Sequence, residues 1–465
     1  MTRTERPPLA SRWLEGTDVA WLAAFRTLFG LTLAVSMWRF LANDWVTRFF
    51  VEPRFFFKYW GFCWVQPLSG PALQMLVVVL GALALAVAAG LAFRLSAALL
   101  ALGLTYLQLI DVCTYLNHYY LAALLCWLLV VSPAARLWSV DAWLAQRWRG
   151  RPANQAYAAR AWLYLFRFQI GLVYGFAALA KAQPDWLLHA QPLRIWLGAS
   201  AELPVLGRLL AMTGVPSVLS WCGFLFDTTI VGWLSWRRTR PYAYAVLLLF
   251  HALTRVLFPI GMFPVIMSVA ALVFFEPSWP RGLLSRFVPC GDDTLPAPLV
   301  ATLKTRHVFA LVMGAIYCAL QLLLPLRFIA YGGDVLWHEQ GMRFSWRVMV
   351  RAKGGNATFL VKNRQTGQIW HVSPSEYLTP LQESEMVSQP DLILQLSHYI
   401  RADVERRGLG PVEVRVDARA SLNGRRSAHI IDPRVDLTQV SDGIALQPWI
   451  LPAPASPPPH TRISL

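Results

Sequence analysis

The sequence predicts a multi-pass α-helical membrane bundle of about eight or nine segments, followed by a C-terminal extramembrane α+β domain that is mostly β. Three observations predict it. Hydrophobic residues make up 56% of the 465-residue chain and charged residues only 15%, a balance rare in soluble domains. Several apolar runs reach roughly 18–22 residues, the length that crosses a bilayer. From Ala330 onward the composition turns polar and stretches of the chain alternate with a period of two.

Hydropathy places the segments near residues 21–41, 73–93, 97–116, 119–131, 162–180, 216–236, 242–257 and 261–275, with a further one at 308–329. The first carries Arg26 and Arg39 and no small-residue cleavage site follows it, so it reads as a retained span, not a signal peptide. The second pair, 97–116 and 119–131, is nearly continuous, and the 119 and 261 segments are short. The net charge is +16, and basic residues gather between apolar runs, as in "RWRGR" (Arg147 to Arg151) and "RRTR" (Arg237 to Arg240). In a soluble chain such an excess suggests nucleic acid. Here it reads as positive loops held in the cytoplasm, so the lipid bilayer is the expected partner and nucleic acid is not. With the N-terminus inside and sides alternating, Arg136 to Arg160, "RRTR" and the connection from Arg281 to Arg306 all fall inside. The last span then delivers everything after Ile329 to the outside. Asn117-His118, the end of "ALAK" and "LFPIG" (Leu257 to Gly261) fall on that same outer side, although they lie far apart in sequence.

Residues 1–329 therefore read as the transmembrane domain holding the active site, 330–450 as an extracytoplasmic mixed β domain and 451–465 as a proline-rich tail expected to be disordered. "ATFLVKNRQTGQIWHV" alternates around Thr366-Gly367 and predicts a hairpin. "SQPDLILQLSHYIRADVERRG" predicts a helix that starts at Ser388, buries Leu392, Leu396, Tyr399 and Ile400, and stops at Gly408. "VEVRVDA" predicts another strand. No internal repeat is visible. None of the six cysteines, among them Cys63, lies after Cys318, and no CxxC or Cys/His spacing suggests a metal.

Lys181 closes "GFAALAK". A lysine at a helix end commonly snorkels to headgroups. Against that, the charge count puts Lys181 on the outer side, and the small residues from Gly175 to Ala180 let neighbouring helices close around it. A lysine buried there can lose its proton and act as a general base. Asn117-His118, in "TYLNHYYL", is either a polar turn or a pair facing the same cavity. His251 lies inside an apolar run, where an ionisable residue is a functional candidate; the alternative is a hydrogen bond to a neighbouring helix. Asp111 and Asp227 lie in or near apolar runs and could pair with Arg255, Arg167 or each other. "RFSWRVMVRAK" reads as a basic surface strand or as a contact strand beneath the domain. In the second reading Trp346 and Met349 face an apolar ligand, and Arg343, Arg347 or Arg351 faces an anion.

Five of these motifs, in order, resemble those of the vitamin K-dependent gamma-glutamyl carboxylases. "YLNHYYL" followed by "WSVDAW" resembles the family's "NNHSYLY…WSVDG". "FQIGLVYGFAALAKAQPDWL" resembles the segment with its essential lysine, Asp185-Trp186 setting the register that places Lys181 on that lysine. "FHALTRVLFPIGMFP" resembles "FH…LFSIGMF", "FSWRVMV" resembles "YSWDMMV", and "IIDPRVDL" followed by "QPW" resembles "IFDPRVDI…QPL". Bacterial relatives are described as proteins with a horizontally transferred transmembrane domain, and the heavy Arg, Ala and Leu usage resembles a bacterial chain, which suggests a bacterial inner membrane.

The resemblance implies a reaction with reduced vitamin K or a menaquinol, with O2 and CO2 as co-substrates and no metal. A lysine deprotonates the hydroquinone. The anion reacts with O2 and becomes a strong base as the epoxide forms; that base removes a γ-proton from a protein glutamate, and the carbanion captures CO2. Carried over, Lys181 is the activating base, and His118 and His251 stabilise developing charge. Asn117, Phe258, Trp346 and Met349 are placed at the quinol, and Arg343, Phe344, Arg347 and Arg351 at a glutamate-containing protein substrate. This chain departs from the pattern: Phe344 replaces the tyrosine of "YSW", Arg347 the aspartate and Val348 the first methionine. The animal enzymes have a longer C-terminal part, and Cys63 has no distant C-terminal cysteine to pair with. Those departures leave two alternatives: a quinol-dependent epoxidase or oxygenase without protein carboxylation, and a non-enzymatic membrane protein.

Overall fold

The computed structural model describes residues 13–149, 156–199, 206–210, 212–286 and 304–459. Each predicted apolar segment forms a helix: α1 (Ala20–Ala42), α2 (Gly70–Ala89), α3 (Phe93–Ile110), α4 (Asn117–Val131), α5 (Ala161–Lys181), α6 (Val215–Ser235), α7 (Arg240–Leu257), α8 (Phe263–Ala271) and α9 (Thr305–Leu326). Six of them, α1, α2, α3, α5, α6 and α9, are long and apolar enough to cross a membrane, and α4 and α8 are shorter apolar helices. The remaining one, α7, buries only the stripe Arg240, Ala243, Leu247 and His251, the three-and-four spacing of a single helix face. Proline stands in the first turn of α2, α6, α7 and α8, where a missing N–H leaves no bond unmade.

Within the bundle α1 packs against α2 and α8, and α5 against α6 and α9. At Gly30 the α1 backbone approaches α2 so closely that a Cβ would lie 2.7 Å from the Ala84 carbonyl oxygen and the Ala88 nitrogen. Arg26, fully buried on α1, donates to the carbonyls of Ala134 (3.1 Å) and Trp138 (2.6 Å), which gives its charge acceptors without a carboxylate. A short antiparallel pair, β1 (Gly16–Asp18) and β2 (Tyr157–Ala159), closes one end of the bundle. Ion pairs Arg160–Glu15 and Arg281–Asp18 hold it there, at the end to which the sequence assigns the basic connections.

The C-terminal domain sits on the other end. Its sheet has the order β4-β3-β5-β6, all antiparallel, from β3 (Lys353–Asn363), β4 (Ile369–Val372), β5 (Val412–Leu422) and β6 (Ala428–His429). The expected hairpin is β3–β4, with Lys362 opposite Ile369. Alternation buries Phe359 and Val361 on β3 and Val414, Val416 and Ala418 on β5. Two helices, α10 (Pro380–Met386) and α11 (Pro390–Arg406), complete the domain, α11 burying Leu392, Leu396 and Ile400 as expected and leaving Tyr399 half-buried. Gln389, not Ser388, is the N-cap of α11, because Pro390 takes the first helical position. Gly408 adopts φ 77°, the left-handed stop the sequence predicts.

Two expectations are corrected. The segment around "RFSWRVMV" is no strand. Phe344, Trp346 and Met349 have φ of 62°, 58° and 54°, and left-handed residues at such close intervals fold the chain back on itself, so the strand begins only at Lys353. The start of the proline-rich tail is not loose either. Trp337 donates to the Leu451 carbonyl, Arg425 to Ser456 and Gln191 to Pro459, so residues 451–459 strap domain and bundle; 460–465 lie outside the described residues.

Domain and bundle meet through buried polar contacts. Gln382 donates to Asp111 (2.7 Å), the Lys58 backbone N–H to Gln395 (2.8 Å) and the Phe344 backbone N–H to the Tyr115 hydroxyl (3.0 Å). The Asp185 carboxylate accepts from Arg425 at 2.6 and 2.7 Å and from Asn423 at 2.8 Å.

Candidate functional site

Lys181 is the last residue of α5. Ala177, Ala178 and Ala180 are buried beside it, whereas Gly175 faces outward into open space, so the alanines rather than the glycine do the close packing. Lys181 does not snorkel. It is 6% exposed, its Nζ donates to Asp227 Oδ2 at 2.7 Å, and it stands 5.2 Å over the Trp186 ring. Trp186 is held in turn: its indole N–H donates to the Ser220 carbonyl at 2.8 Å, and the Ser220 hydroxyl donates back to the Trp186 carbonyl. The Asp185 latch to Arg425 fixes the same turn from the domain side. Burial alone would raise the Asp185 carboxyl, but the Arg425 and Asn423 hydrogen bonds prevail and hold it below the usual range.

The partners of the two buried aspartates correct the pairings read from the sequence. Asp227 lies on the buried stripe of α6 with Gly223, Phe226 and Ile230, which turns it toward Lys181. Arg167 instead donates to the carbonyls of Val273, Phe274 and Phe275 at 2.9–3.1 Å, and Arg255 is exposed. Asp111 accepts from Gln382 and from the Cys113 backbone N–H.

His251 is 2% exposed. Its Nε2 lies 3.1 Å from the Tyr174 hydroxyl, and its Nδ1 is buried without a hydrogen-bond partner among the described residues. Tyr174 precedes Lys181 by seven residues, two turns along one face of α5. Lys181, Asp227, Tyr174, His251 and Phe258 line one cavity of about 380 Å³ whose remaining walls are almost wholly apolar.

His118 and Asn117 begin α4 and line an adjoining cavity of about 470 Å³. Gly261 makes this close approach possible: its φ is 60°, and a Cβ there would meet the His118 ring at 3.4 Å. Phe263 stands between the histidines, its ring centroid 6.0 Å from that of His251 and 6.5 Å from that of His118. Ile260, Phe263, Val348 and Met349 line both cavities. The lysine and the two histidines thus occupy neighbouring chambers with a common wall.

The outer residues divide. Met349 lines both chambers and a third, polar pocket of about 240 Å³, which also holds Asn117, Arg343, Arg347, Arg351, Glu339 and Glu385. Arg343 is paired with Asp391 and Arg351 with Glu339, which also accepts from Lys353 at 2.9 Å. Burial pushes the Lys353 ammonium down to about 8 even though Glu339 opposes it. Arg347 lies 4.2 Å over the Phe328 ring, and its buried Nε has no hydrogen-bond partner among the described residues. Trp346 faces none of these chambers, contrary to expectation. It is fully buried and stacks on Tyr120 at 4.9 Å, because its left-handed backbone turns the side chain into the bundle. Phe344 packs among Tyr59, Tyr115 and Tyr120, at the edge of a separate pocket between bundle and domain.

Sequence reasoning missed the role of Asp227 and did not single out Tyr174. An acid in the middle of an apolar run was the signal for the first, and the seven-residue spacing to Lys181 the signal for the second.

Residues 14–279 match the family model of the HTTM domain, and residues 306–456 match that of the vitamin K-dependent gamma-carboxylase lumenal domain. No solved structure matches the chain. The first match alone spans more than half of the sequence, and the second takes in the whole sheet and both helices α10 and α11 above the lysine chamber. By its bundle, its outer domain and the order in which they follow, the chain belongs to the vitamin K-dependent gamma-carboxylase family.

Proposed function

We propose that this protein carboxylates glutamate side chains of a protein substrate at the γ-carbon, using reduced vitamin K or a menaquinol together with O2 and CO2, and releasing the quinone epoxide. The observation that carries this reading is the buried Lys181–Asp227 pair, open to an apolar chamber that it shares with His251. The chamber suits a hydroquinone: it is apolar, it is of ligand size, and His251 Nδ1 is a buried polar atom still in want of a partner. The bound hydroquinone supplies reducing power and, after oxygenation, the base that removes the γ-proton.

The protein's share is to take and hold a proton. In a low-dielectric chamber an ammonium–carboxylate pair and a neutral amine–acid pair lie close in energy. Moving one proton along the 2.7 Å bond from Nζ to Oδ2 frees the Lys181 lone pair without moving net charge into the bilayer. Lys181 then takes the ring hydroxyl proton while Asp227 keeps the first one, and the hydroquinone anion formed beside it balances the new ammonium. Trp186 covers the lysine and keeps water from it. Tyr174 orients the His251 ring through Nε2, which leaves Nδ1 for a ligand oxygen. His118, beyond Phe263, faces the adjoining chamber, and Met349 borders that chamber and the arginine pocket alike. Arg347, without an acidic partner of its own, is the guanidinium best placed to take a substrate carboxylate. In this reading the membrane is a bacterial inner membrane and the domain lies outside the cytoplasm.

The second reading, a quinol epoxidase without carboxylation, is favoured by the two guanidiniums of that pocket that are already paired, Arg343 and Arg351, and by Phe344 in place of a tyrosine. Incubating purified protein with reduced vitamin K, labelled CO2 and a glutamate peptide separates the two. Label in the peptide together with epoxide supports the carboxylase. Epoxide with an unlabelled peptide eliminates it and leaves the epoxidase. Neither product would refute both.

A further inference from the structure

We propose that the Lys181 chamber opens sideways into the bilayer across α6 and α7, and that this mouth holds the prenyl tail of the quinol while its ring lies inside. In naming the occupant the inference rests on the quinol reading above; the opening itself does not. The wall of the chamber divides sharply by exposure. Its members on α5, Val173, Tyr174, Ala177 and Lys181, are all buried. Its exposed members are Cys222 on α6 and Val246, Leu249 and Leu253 on α7, at 53%, 60% and 43% for the last three. None carries a charge. An apolar lip of this kind would be unfavourable against water, but α6 is long and apolar enough to cross a membrane and α7 packs beside it, so the lip faces hydrocarbon. Phe226 and Phe250 stack across the two helices with ring centroids 3.9 Å apart, one turn from Cys222 and Leu253, and form an aromatic floor for a flat ring. Gly223, next to Cys222, is buried and packs close to the Trp186 ring, which a Cβ there would meet at 3.6 Å.

The chemistry of the mouth selects the ligand class. A polar substrate gains nothing from four apolar residues at a bilayer-facing lip, whereas a prenylated hydroquinone is dissolved in the bilayer and arrives from that side. The reacting ring must reach Lys181, and the chamber of about 380 Å³ holds a ring system but leaves a long tail outside.

Cys222 allows a test that needs no turnover. The protein is reconstituted in lipid nanodiscs and labelled with a bilayer-soluble maleimide, the rate at the Cys222 peptide being read by mass spectrometry with Cys222→Ala as the blank. Menaquinone at ten times its Kd should slow labelling about tenfold, as mass action requires, and tail-less 2,3-dimethyl-1,4-naphthoquinone, whose ring has no free position for a thiol to attack, should leave the rate unchanged. Equal rates with and without menaquinone would overturn the quinol tail as occupant, and labelling by a water-soluble maleimide alone would overturn the bilayer-facing mouth. Protection by both quinones would overturn the placement of the tail. Labelling that follows the lipid acyl chain but not the quinone would assign the lip to lipid and overturn the proposal. Protection by menaquinone in a protein that forms neither epoxide nor carboxylated peptide would keep the mouth and refute the catalytic reading.

Discussion

Asp227 decides what Lys181 can do. An ammonium buried alone in an apolar chamber is expensive, and breaking a buried pair from one side typically costs about 3–5 kcal/mol. Asp227→Asn keeps the shape and the hydrogen-bond acceptor but removes the charge. The amide cannot take the proton from Nζ, so the ammonium must lose it out of a closed chamber before Lys181 can act as a base. The rate of epoxide formation should therefore fall about 100-fold at neutral pH, roughly 3 kcal/mol in the barrier, with the protein still folded. An unchanged rate would remove Asp227 from the mechanism. Lys181→Ala should abolish epoxide formation at neutral pH, and strongly alkaline solution or a small added amine should restore part of it; full activity without either would end the role of the lysine as base. The residue scale also shows what sequence can and cannot give. Lys181 and His251 were visible because ionisable groups at the end of or inside an apolar run are rare. The partner of Asp227 was not, because it comes from another helix 46 positions away and depends on which faces meet. Trp346 was misread for a backbone reason: alternation predicts where a side chain points only where the chain is extended, and here φ is positive.

At the scale of elements, hydropathy located each of the nine helices, because lipid permits a spanning backbone little choice but to bond to itself within a helix. It could not show which small residues mark crossings. Gly30 and Gly175 look alike in sequence and differ in structure: a Cβ at Gly30 would collide with backbone atoms of α2 at 2.7 Å, whereas one at Gly175 would meet nothing within 4 Å. Neither neighbour of Gly30 can swing away, since both are main chain. Gly30→Ala should therefore force α1 and α2 apart and cost about 1–3 kcal/mol. Gly175→Ala should be neutral or slightly stabilising, by up to about 1 kcal/mol from helix propensity. Thermal melting of both variants in one detergent checks the contrast, and equal melting temperatures would contradict the tight crossing. The irregular chain between α9 and β3 was the least legible element, since its left-handed turns follow from what it packs against and not from local periodicity.

For the whole molecule, the sharing of one end inferred from alternating charges matches the structure, in which the C-terminal domain sits on the end that carries Lys181, His118 and "LFPIG". The contacts that join the two parts were not legible, because each pairs a side chain from one part with a group remote in sequence. Two of them place a carboxylate at the seam, with opposite consequences for its ionisation. Asp185 has a guanidinium partner and stays charged. Asp111, just beyond the end of α3, accepts from neutral Gln382 and Cys113 groups, and burial pushes its carboxyl up to about 6 from an ordinary 3.8, the hydrogen bonds and Lys58 only partly opposing. Its folded pKa lies above its unfolded one, so the folded protein binds the extra proton. Stability from this group is complete below the unfolded pKa and is lost as pH rises through about 6, amounting to roughly 3 kcal/mol over that window. The other titratable groups facing it, Lys58, Tyr59 and Cys113, remain in Asp111→Asn; burial raises Tyr59 and Cys113, which keep their protons across this window, so subtracting the variant's melting curve from the wild type's leaves Asp111 together with its coupling to Lys58. The wild type should lose stability relative to the variant between about pH 4 and pH 7, with most of the change centred between the two pKa values. Parallel curves across that range would mean that the seam holds Asp111 charged throughout, and that domain and bundle are joined there by an ion pair with Lys58 and not by a hydrogen-bonded acid.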